Sequence, residues 1–506
     1  MNIKSIKIFQ SKKLFIKKFL TPGESLSEKM IKGSFWVFTL RIADRLFQLV
    51  KTIILARLLS PNDFGMFAIA LLVLSIFGTF TQTGSQQALI QKKGEIKSYL
   101  NTAWTIGLIR GSLITVAVFF LAKPAALFFA TPDAELILRI IGISIVLQSL
   151  NNIAVLYFHK ELEFQKFFKY QFLGTIADVV VSITAVFFLK SVWALVLGML
   201  AGDLVRCIMS YVIKSYRPRL QFNRTQAKEL FRFGKWIAGT SILIFLIING
   251  DDIFVGKMLG VVMLGFYQMA YKISNTPTTE VTLVISQVSF PAYSKIQDNL
   301  PKLRDTFMRV LKLTAFISFP LAAFIFILAP EFTLLFLGKK WMPIVPAMRI
   351  LVMAGALRSL VASTCSIFRA IGKPKVETMW QVIRLSIIII LIYPLTAKYG
   401  ISGTSAVILL STFISGIGFG FEVLRITNCG IKNLSKLIIL PLLNGIIIVA
   451  VIYALKFCIN AYTFSGFFSL AGVSILIFIG INYLFDKFFN YEILLTIKKG
   501  LAAFRN

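Results

Sequence analysis

The sequence predicts an all-α polytopic membrane protein of about 14 transmembrane helices, and three observations point to it. Of the 506 residues 57% are hydrophobic and the mean hydropathy is +0.80, more apolar surface than a soluble core of this length can hide. Segments long enough to cross about 30 Å of hydrocarbon recur from residue 34 to residue 485. Lys and Arg number 54 against 22 Asp and Glu, and they gather in alternate short connections, as topology signals facing an anionic leaflet do.

The elements follow in order. Residues 1–32 are a basic N-terminal segment in which Lys4, Lys7, Lys12, Lys13, Lys17 and Lys18 interrupt any long apolar core, so no cleavable signal is expected. Residues 3–20 read as a basic amphipathic stretch lying on the cytoplasmic leaflet. Six spans (34–56, 64–88, 99–122, 135–157, 170–189 and 192–212) make an N-terminal bundle over 33–212, and a basic cytoplasmic linker covers 213–233. A second bundle over 234–421 holds spans at 234–256, 262–289, 309–329, 345–368, 379–397 and 401–421. Two further helices occupy 422–485, before a cytoplasmic tail at 486–506. Lys190-Ser191 and Lys398-Tyr399-Gly400 supply the tight turns that split two long apolar stretches into hairpins. The basic asymmetry places both termini in the cytoplasm.

A faint repeat relates the halves. Residues 51–70 align without gaps to 251–270, pairing Arg57 with Lys257, Leu59 with Leu259, Gly65 with Gly265 and Ala70 with Ala270, while Trp36 falls opposite Trp236. The expectation is two parallel six-helix bundles around a central cavity plus two C-terminal helices, an arrangement suited to alternating access.

Several function classes drop out. Cys207, Cys365, Cys429 and Cys458 are scattered singly and His159 is the sole histidine, so no metal site is expected. Walker A, GxSxG and HExxH motifs are absent and every loop is short, so neither an enzyme nor a cofactor is expected. The formal net charge of +32 would suggest nucleic acid in a soluble chain, but here it lies in loops between spans. Any transport would draw on a gradient, with coupling to H⁺ or Na⁺ left open.

Ionisable groups at spanning depth are costly unless they face a partner or a cavity, which singles out a few residues. Arg41, Arg45 and Gln48 in the first span are spaced by four and three, so they share a face, with Asp44 beside it. Such a cationic stripe suits an anionic ligand through bidentate Arg–phosphate contacts; packing against Asp44 and helix neighbours is the alternative. Asp251 and Asp252 in the seventh span are candidates for ion pairing, a gate or cation coupling. Asp203 and Arg206, three apart, are expected to pair on one helix. Arg358 and Arg384 have no acidic neighbour in sequence and are cavity candidates for a diphosphate. Pro277 is the preferred hinge.

Residues 54–91 carry the pattern Arg57-Leu58-Leu59-Ser60-Pro61-x-Asp63-Phe64-Gly65, and Phe368-Arg369-Ala370-x-Gly372-Lys373-Pro374 precedes the eleventh span. With the segment Gly33 to Arg45 and the 14-span plan, this resembles the polysaccharide transporter branch of the multidrug/oligosaccharidyl-lipid/polysaccharide flippase superfamily over about 30–490. The resemblance implies a multi-pass protein of the bacterial inner membrane that flips an undecaprenyl-diphosphate-linked oligosaccharide during synthesis of O-antigen, capsule or exopolysaccharide. Its implied partners are that glycan lipid, membrane lipids and polysaccharide assembly proteins, with no nucleic acid. Arg41 and Arg45 look like part of a basic cavity, whereas Arg57, Pro61, Asp63 and Gly65 look like a structural turn. Sugar contacts would be spread over residues such as Gln82, Gln86, Gln87, Gln148, Asn151 and Asn152. A cation-coupled exporter of the same superfamily is the main alternative, and a membrane polymerase or ligase a more distant one.

Overall fold

In a computed structural model, residues 26–81, 89, 96–161, 163–427 and 430–489 are described. The basic stretch 3–20, Gln82, Gln86, Gln87, Cys429 and most of the C-terminal tail lie outside them.

Every regular element among the described residues is helical. The long helices are α1 (Leu26–Leu58), α2 (Pro61–Phe80), α3 (Lys97–Phe128), α4 (Ala134–Leu150), α5 (Phe164–Leu189), α6 (Trp193–Ile213) and α7 (Arg224–Leu259). They continue with α8 (Val261–Lys295), α9 (Leu300–Phe332), α10 (Val345–Ala370), α11 (Pro374–Thr427), α12 (Ile431–Leu455) and α13 (Phe464–Phe489). Helix α11 is two spans in one, because Gly400 at φ 59°, ψ −141° breaks the helical path where a turn was expected. Lys190 does the same work between α5 and α6 at φ 45°. With α11 counted twice, the long helices among the described residues are consistent with the expected count of about fourteen spans.

Among the described residues nine helices are long and apolar enough to cross a membrane. Helix α1 has the length but carries Arg41, Asp44, Arg45 and Lys51 within its apolar stretch. Large apolar side chains point outward, with Phe120 73%, Phe188 82%, Ile390 68% and Leu476 69% exposed. Hydrocarbon is the solvent in which that surface is stable.

The chain divides into two compact units, Met1–Phe245 and Leu246–Asn506. The segment expected as a linker is only partly irregular, since α7 begins at Arg224 and the boundary by packing falls inside that helix. In the first unit α1 packs on α5, α5 on α6, α6 on α4, and α4 on α2 and α3. In the second, α10 lies against α8, α9 and α11, and α12 and α13 attach to α9. That attachment is apolar, through Ile327, Leu328, Ile448, Ile452, Phe467 and Leu470, and is pinned by a 2.6 Å ion pair from Lys456 to the buried Glu331. The repeat is visible in the helix breaks. Helices α2 and α8 start at Pro61 and Val261, 200 residues apart, which is the offset of the sequence alignment.

Candidate functional site

Each unit encloses a polar network at spanning depth. In the first, Asp44, Gln48 and Lys51 recur at i, i+4 and i+7, so they form one face of α1, and that face meets α5. Asp44 accepts from the Thr175 hydroxyl at 2.7 Å. Asp178, one turn further along α5, accepts from Gln48 Nε2 at 3.0 Å, Lys51 Nζ at 2.5 Å and Ser182 Oγ at 3.3 Å. Gln48 therefore groups with Asp44 and Lys51, while Arg45 is exposed and Arg41 half-buried. Of the expected stripe of Arg41, Arg45 and Gln48, it is Gln48 that reaches α5, through Asp178.

Small residues make this burial workable. A Cβ at Gly198 of α6 would collide with Ser182 Oγ and stand 2.7 Å from the Asp178 carbonyl oxygen, so glycine is what lets α6 approach the carboxylate. On α6, Arg206 pairs with Asp203 at 2.9 Å, as their spacing predicts. Asp203 also accepts from the Ser144 hydroxyl and from Gln148 Nε2, which enters through this network. Asn152 caps the turn after α4, accepting from Ala154 N at 3.0 Å.

The turn between α1 and α2 is a reciprocal cap. Ser60 Oγ accepts from Asp63 N at 3.2 Å, and Asp63 Oδ2 accepts from Ser60 N at 2.9 Å, with Pro61 opening the helix and Gly65 buried behind it. Asp63 Oδ1 accepts from Val192 N at 3.1 Å, tying this turn to the one between α5 and α6. Arg57 lies exposed at the end of α1.

The second unit holds its charges differently. Asp251 and Asp252 on α7 are 3% and 7% exposed, and Tyr267 of α8 donates to Asp251 Oδ2 at 2.6 Å. One turn along α8, Tyr271 accepts from Arg358 Nη1 of α10 at 2.7 Å. Arg384 of α11 is 8% exposed and lies within electrostatic range of Arg358. Among the described residues none of these four charged groups forms an ion pair within 4.0 Å, and Arg358 Nε, Arg384 Nε and Asp252 Oδ1 are buried without a hydrogen bond. Arg358 sits at the middle of α10, and Arg384 lies ten residues or about 15 Å into the first of the two spans of α11.

Ionic groups left incompletely paired in hydrocarbon cost several kcal/mol, so this arrangement is one that an incoming ion would complete. Two guanidinium groups with unused donors can hold a diphosphate; two carboxylates with an unused acceptor can take a proton or a cation. Pro277 on α8 lies between residues that touch α10. There Ser274 donates to the Met348 carbonyl at 2.9 Å, and a Cβ at Gly355 would stand 2.6 Å from Thr278 Oγ1.

The sequence drew attention to Asp203 and Arg206 but gave no role to Lys51, Thr175, Asp178, Tyr267 or Tyr271. The i, i+4, i+7 spacing of Asp44, Gln48 and Lys51 was the available signal. Tyr267 and Tyr271, four apart on α8, had only their own spacing to mark them.

Residues 54–346 match a family described as polysaccharide biosynthesis protein. The chain belongs to the polysaccharide biosynthesis protein family. Among its family relatives, the lipopolysaccharide biosynthesis protein WzxC of Escherichia coli (strain K12) is 28% identical over 338 residues, 66% of this chain and 69% of that protein. The succinoglycan biosynthesis transport protein ExoT of Rhizobium meliloti (strain 1021) is 24% identical over 335 residues, 65% of this chain and 67% of that protein. In fold, this family member matches the lipid II flippase MurJ in an inward closed conformation with a TM-score of 0.75 at 17% identity, covering 90% of this chain and 98% of that one. An inward-facing MATE multidrug transporter matches at a TM-score of 0.59 and 18% identity, covering 76% and 95%. The multi-pass helical fold expected from the sequence is thus that of solved membrane transporters.

Proposed function

We propose that this polysaccharide biosynthesis protein moves an undecaprenyl-diphosphate-linked oligosaccharide across the bacterial inner membrane, for O-antigen, capsule or exopolysaccharide synthesis. It does so by alternating the side of the membrane to which its glycan-binding residues open. The observation that carries the reading is Arg384, buried in a spanning helix with no ion pair among the described residues and with Nε unbonded. Arg358, fixed by Tyr271 but with its own Nε unused, supplies a second cation. A lipid diphosphate is the anion that such a membrane-embedded pair fits, and the likeness to a lipopolysaccharide biosynthesis protein, a succinoglycan biosynthesis transport protein and a lipid II flippase supports a glycan or glycan-lipid cargo.

Arg41 and Arg45 offer the same chemistry from the first unit. Asp251 and Asp252 serve as gate or coupling carboxylates, with H⁺ or Na⁺ as the ion, and Pro277 is the bend about which α8 moves. Both termini lie in the cytoplasm, where the basic connections belong. No reaction is catalysed.

Reconstitution tests the reading. Leaflet-resolved accessibility of an undecaprenyl-diphosphate oligosaccharide should change only in liposomes that contain the protein. Efflux of an organic cation with no movement of the glycan lipid would transfer the assignment to the exporter class, which the carboxylate pair Asp251 and Asp252 would then serve.

A further inference from the structure

A separate groove in the first unit has the chemistry of a phospholipid site. It has a volume of about 500 Å³ and runs between the C-terminal end of α2 and the middle of α3, with Phe222 of the connection to α7 at one end. Its lining is apolar, through Phe77, Ile109, Leu113, Ile114 and Ala117, except for Thr81 and Arg110, and no carboxylate contributes.

Arg110 is held from one side. Its Nη2 donates to the Gly78 carbonyl at 2.7 Å and its Nε to Thr81 Oγ1 at 3.1 Å. Nη1 has no partner among the described residues, so a directed cationic donor remains at the groove. Two bonds to α2 preorganise it, which keeps the entropy cost of capturing an anion low.

The depth of Arg110 says which anion. The connection before α7 runs along the start of α3, its backbone amides satisfied by polar side chains there. Arg219 N donates to Asn101 Oδ1 at 3.0 Å, Asn223 N to Thr102 Oγ1 at 3.3 Å and Gln221 N to Thr105 Oγ1 at 3.1 Å. An extended backbone solvated in this way marks the polar edge of the membrane at about Thr105. Arg110 lies five residues deeper, about 7.5 Å along the helix, and Leu113, Ile114 and Ala117 continue about 10 Å beyond it. Phosphate at the guanidinium and acyl chain along those side chains is the layout of a glycerophospholipid in the leaflet on that side.

Exposure favours a bilayer lipid over the transported one. Ile109 is 50% and Leu113 64% exposed, so the groove opens along its flank rather than enclosing its occupant. One free guanidinium edge matches the single charge of a phosphodiester better than a diphosphate. We infer that Arg110 and the apolar groove beside it bind an anionic glycerophospholipid, such as phosphatidylglycerol, from the leaflet on the side of the 214–223 connection. This inference does not depend on the glycan reading.

The test is a titration of the delipidated full-length protein in detergent with phosphatidylglycerol and with phosphatidylcholine of the same acyl chains, followed by native mass spectrometry. Saturable binding of phosphatidylglycerol over phosphatidylcholine is expected, weakened about fivefold by Arg110→Gln, the loss of one basic contact near the headgroup layer. Ala117→Trp, which fills the groove and leaves every Arg110 bond in place, should weaken it also, so a folding defect in the first variant does not decide the result. Equal binding of the two lipids, or binding unchanged in Ala117→Trp, would overturn the assignment. So would displacement by millimolar inorganic phosphate, which would show a bare anion site, or by an equimolar polyprenyl diphosphate, which would give the groove to the transported lipid.

Discussion

Arg358 donates to the Tyr271 hydroxyl at 2.7 Å, with its guanidinium carbon 5.6 Å from the centre of the same ring. A tyrosine thus positions a buried cation without neutralising it, whereas Lys51 in the first unit is neutralised by Asp178. Lys51 and Asp251 occupy equivalent places in the faint internal repeat, so this position carries a cation in one unit and a carboxylate in the other.

Tyr271→Phe keeps the ring and removes the acceptor. Losing a hydrogen bond to a charged group costs about 1.5–3 kcal/mol, so glycan-lipid translocation should fall about tenfold or more while expression and detergent stability hold. Initial rates in proteoliposomes at matched protein content check this.

The Lys51–Asp178 pair should behave as a structural clamp. Lys51→Met or Asp178→Leu alone leaves one charge uncompensated and should cost about 3–5 kcal/mol, whereas the double variant should recover most of the loss. A double-mutant cycle on the melting temperature in detergent measures the recovery; additive losses would mean that the two groups act independently.

Asp63→Ala removes half of the reciprocal cap and the tether to Val192. A loss of about 1–2 kcal/mol is expected, seen as a lower melting temperature with substrate affinity unchanged. A change in affinity with no change in melting would give Asp63 a role in binding instead.

Glu163, before α5 and outside the spans, supplies a pH-dependent contribution. Burial works against its charged form, but hydrogen bonds from Lys166 at 2.6 Å and Lys214 at 3.2 Å, with the charges of both lysines, hold the carboxyl below its ordinary value of 4.5. A depressed value means stability that is present above the unfolded value and is lost as pH falls through the folded one. Melting of the wild type should therefore fall more steeply than that of Glu163→Gln as pH drops below about 4.5, with the two running parallel at neutral pH.

The helices were legible because hydropathy and turn chemistry act locally. Lys190 and Gly400, both at positive φ, mark hairpins that length alone would have merged. The networks were less legible, because they depend on which face of a helix meets which neighbour. Gln48 has the spacing to join Arg45 or Lys51, and only the packing of α5 on α1 decides for Lys51 and Asp178. Arg384 was recognisable as a cation without an acidic neighbour in sequence. The charged and polar groups whose fields reach it, Arg358 and Tyr271 among them, come from helices α10 and α8, which no local pattern connects to it.

The most direct test of the central claim is leaflet-resolved translocation of an undecaprenyl-diphosphate oligosaccharide by wild type and Arg384→Gln reconstituted side by side in equal amounts. The account predicts protein-dependent movement by the wild type, and a variant that inserts and elutes normally yet moves the lipid at least about tenfold more slowly. Translocation at the wild-type rate by a correctly inserted Arg384→Gln protein would contradict it.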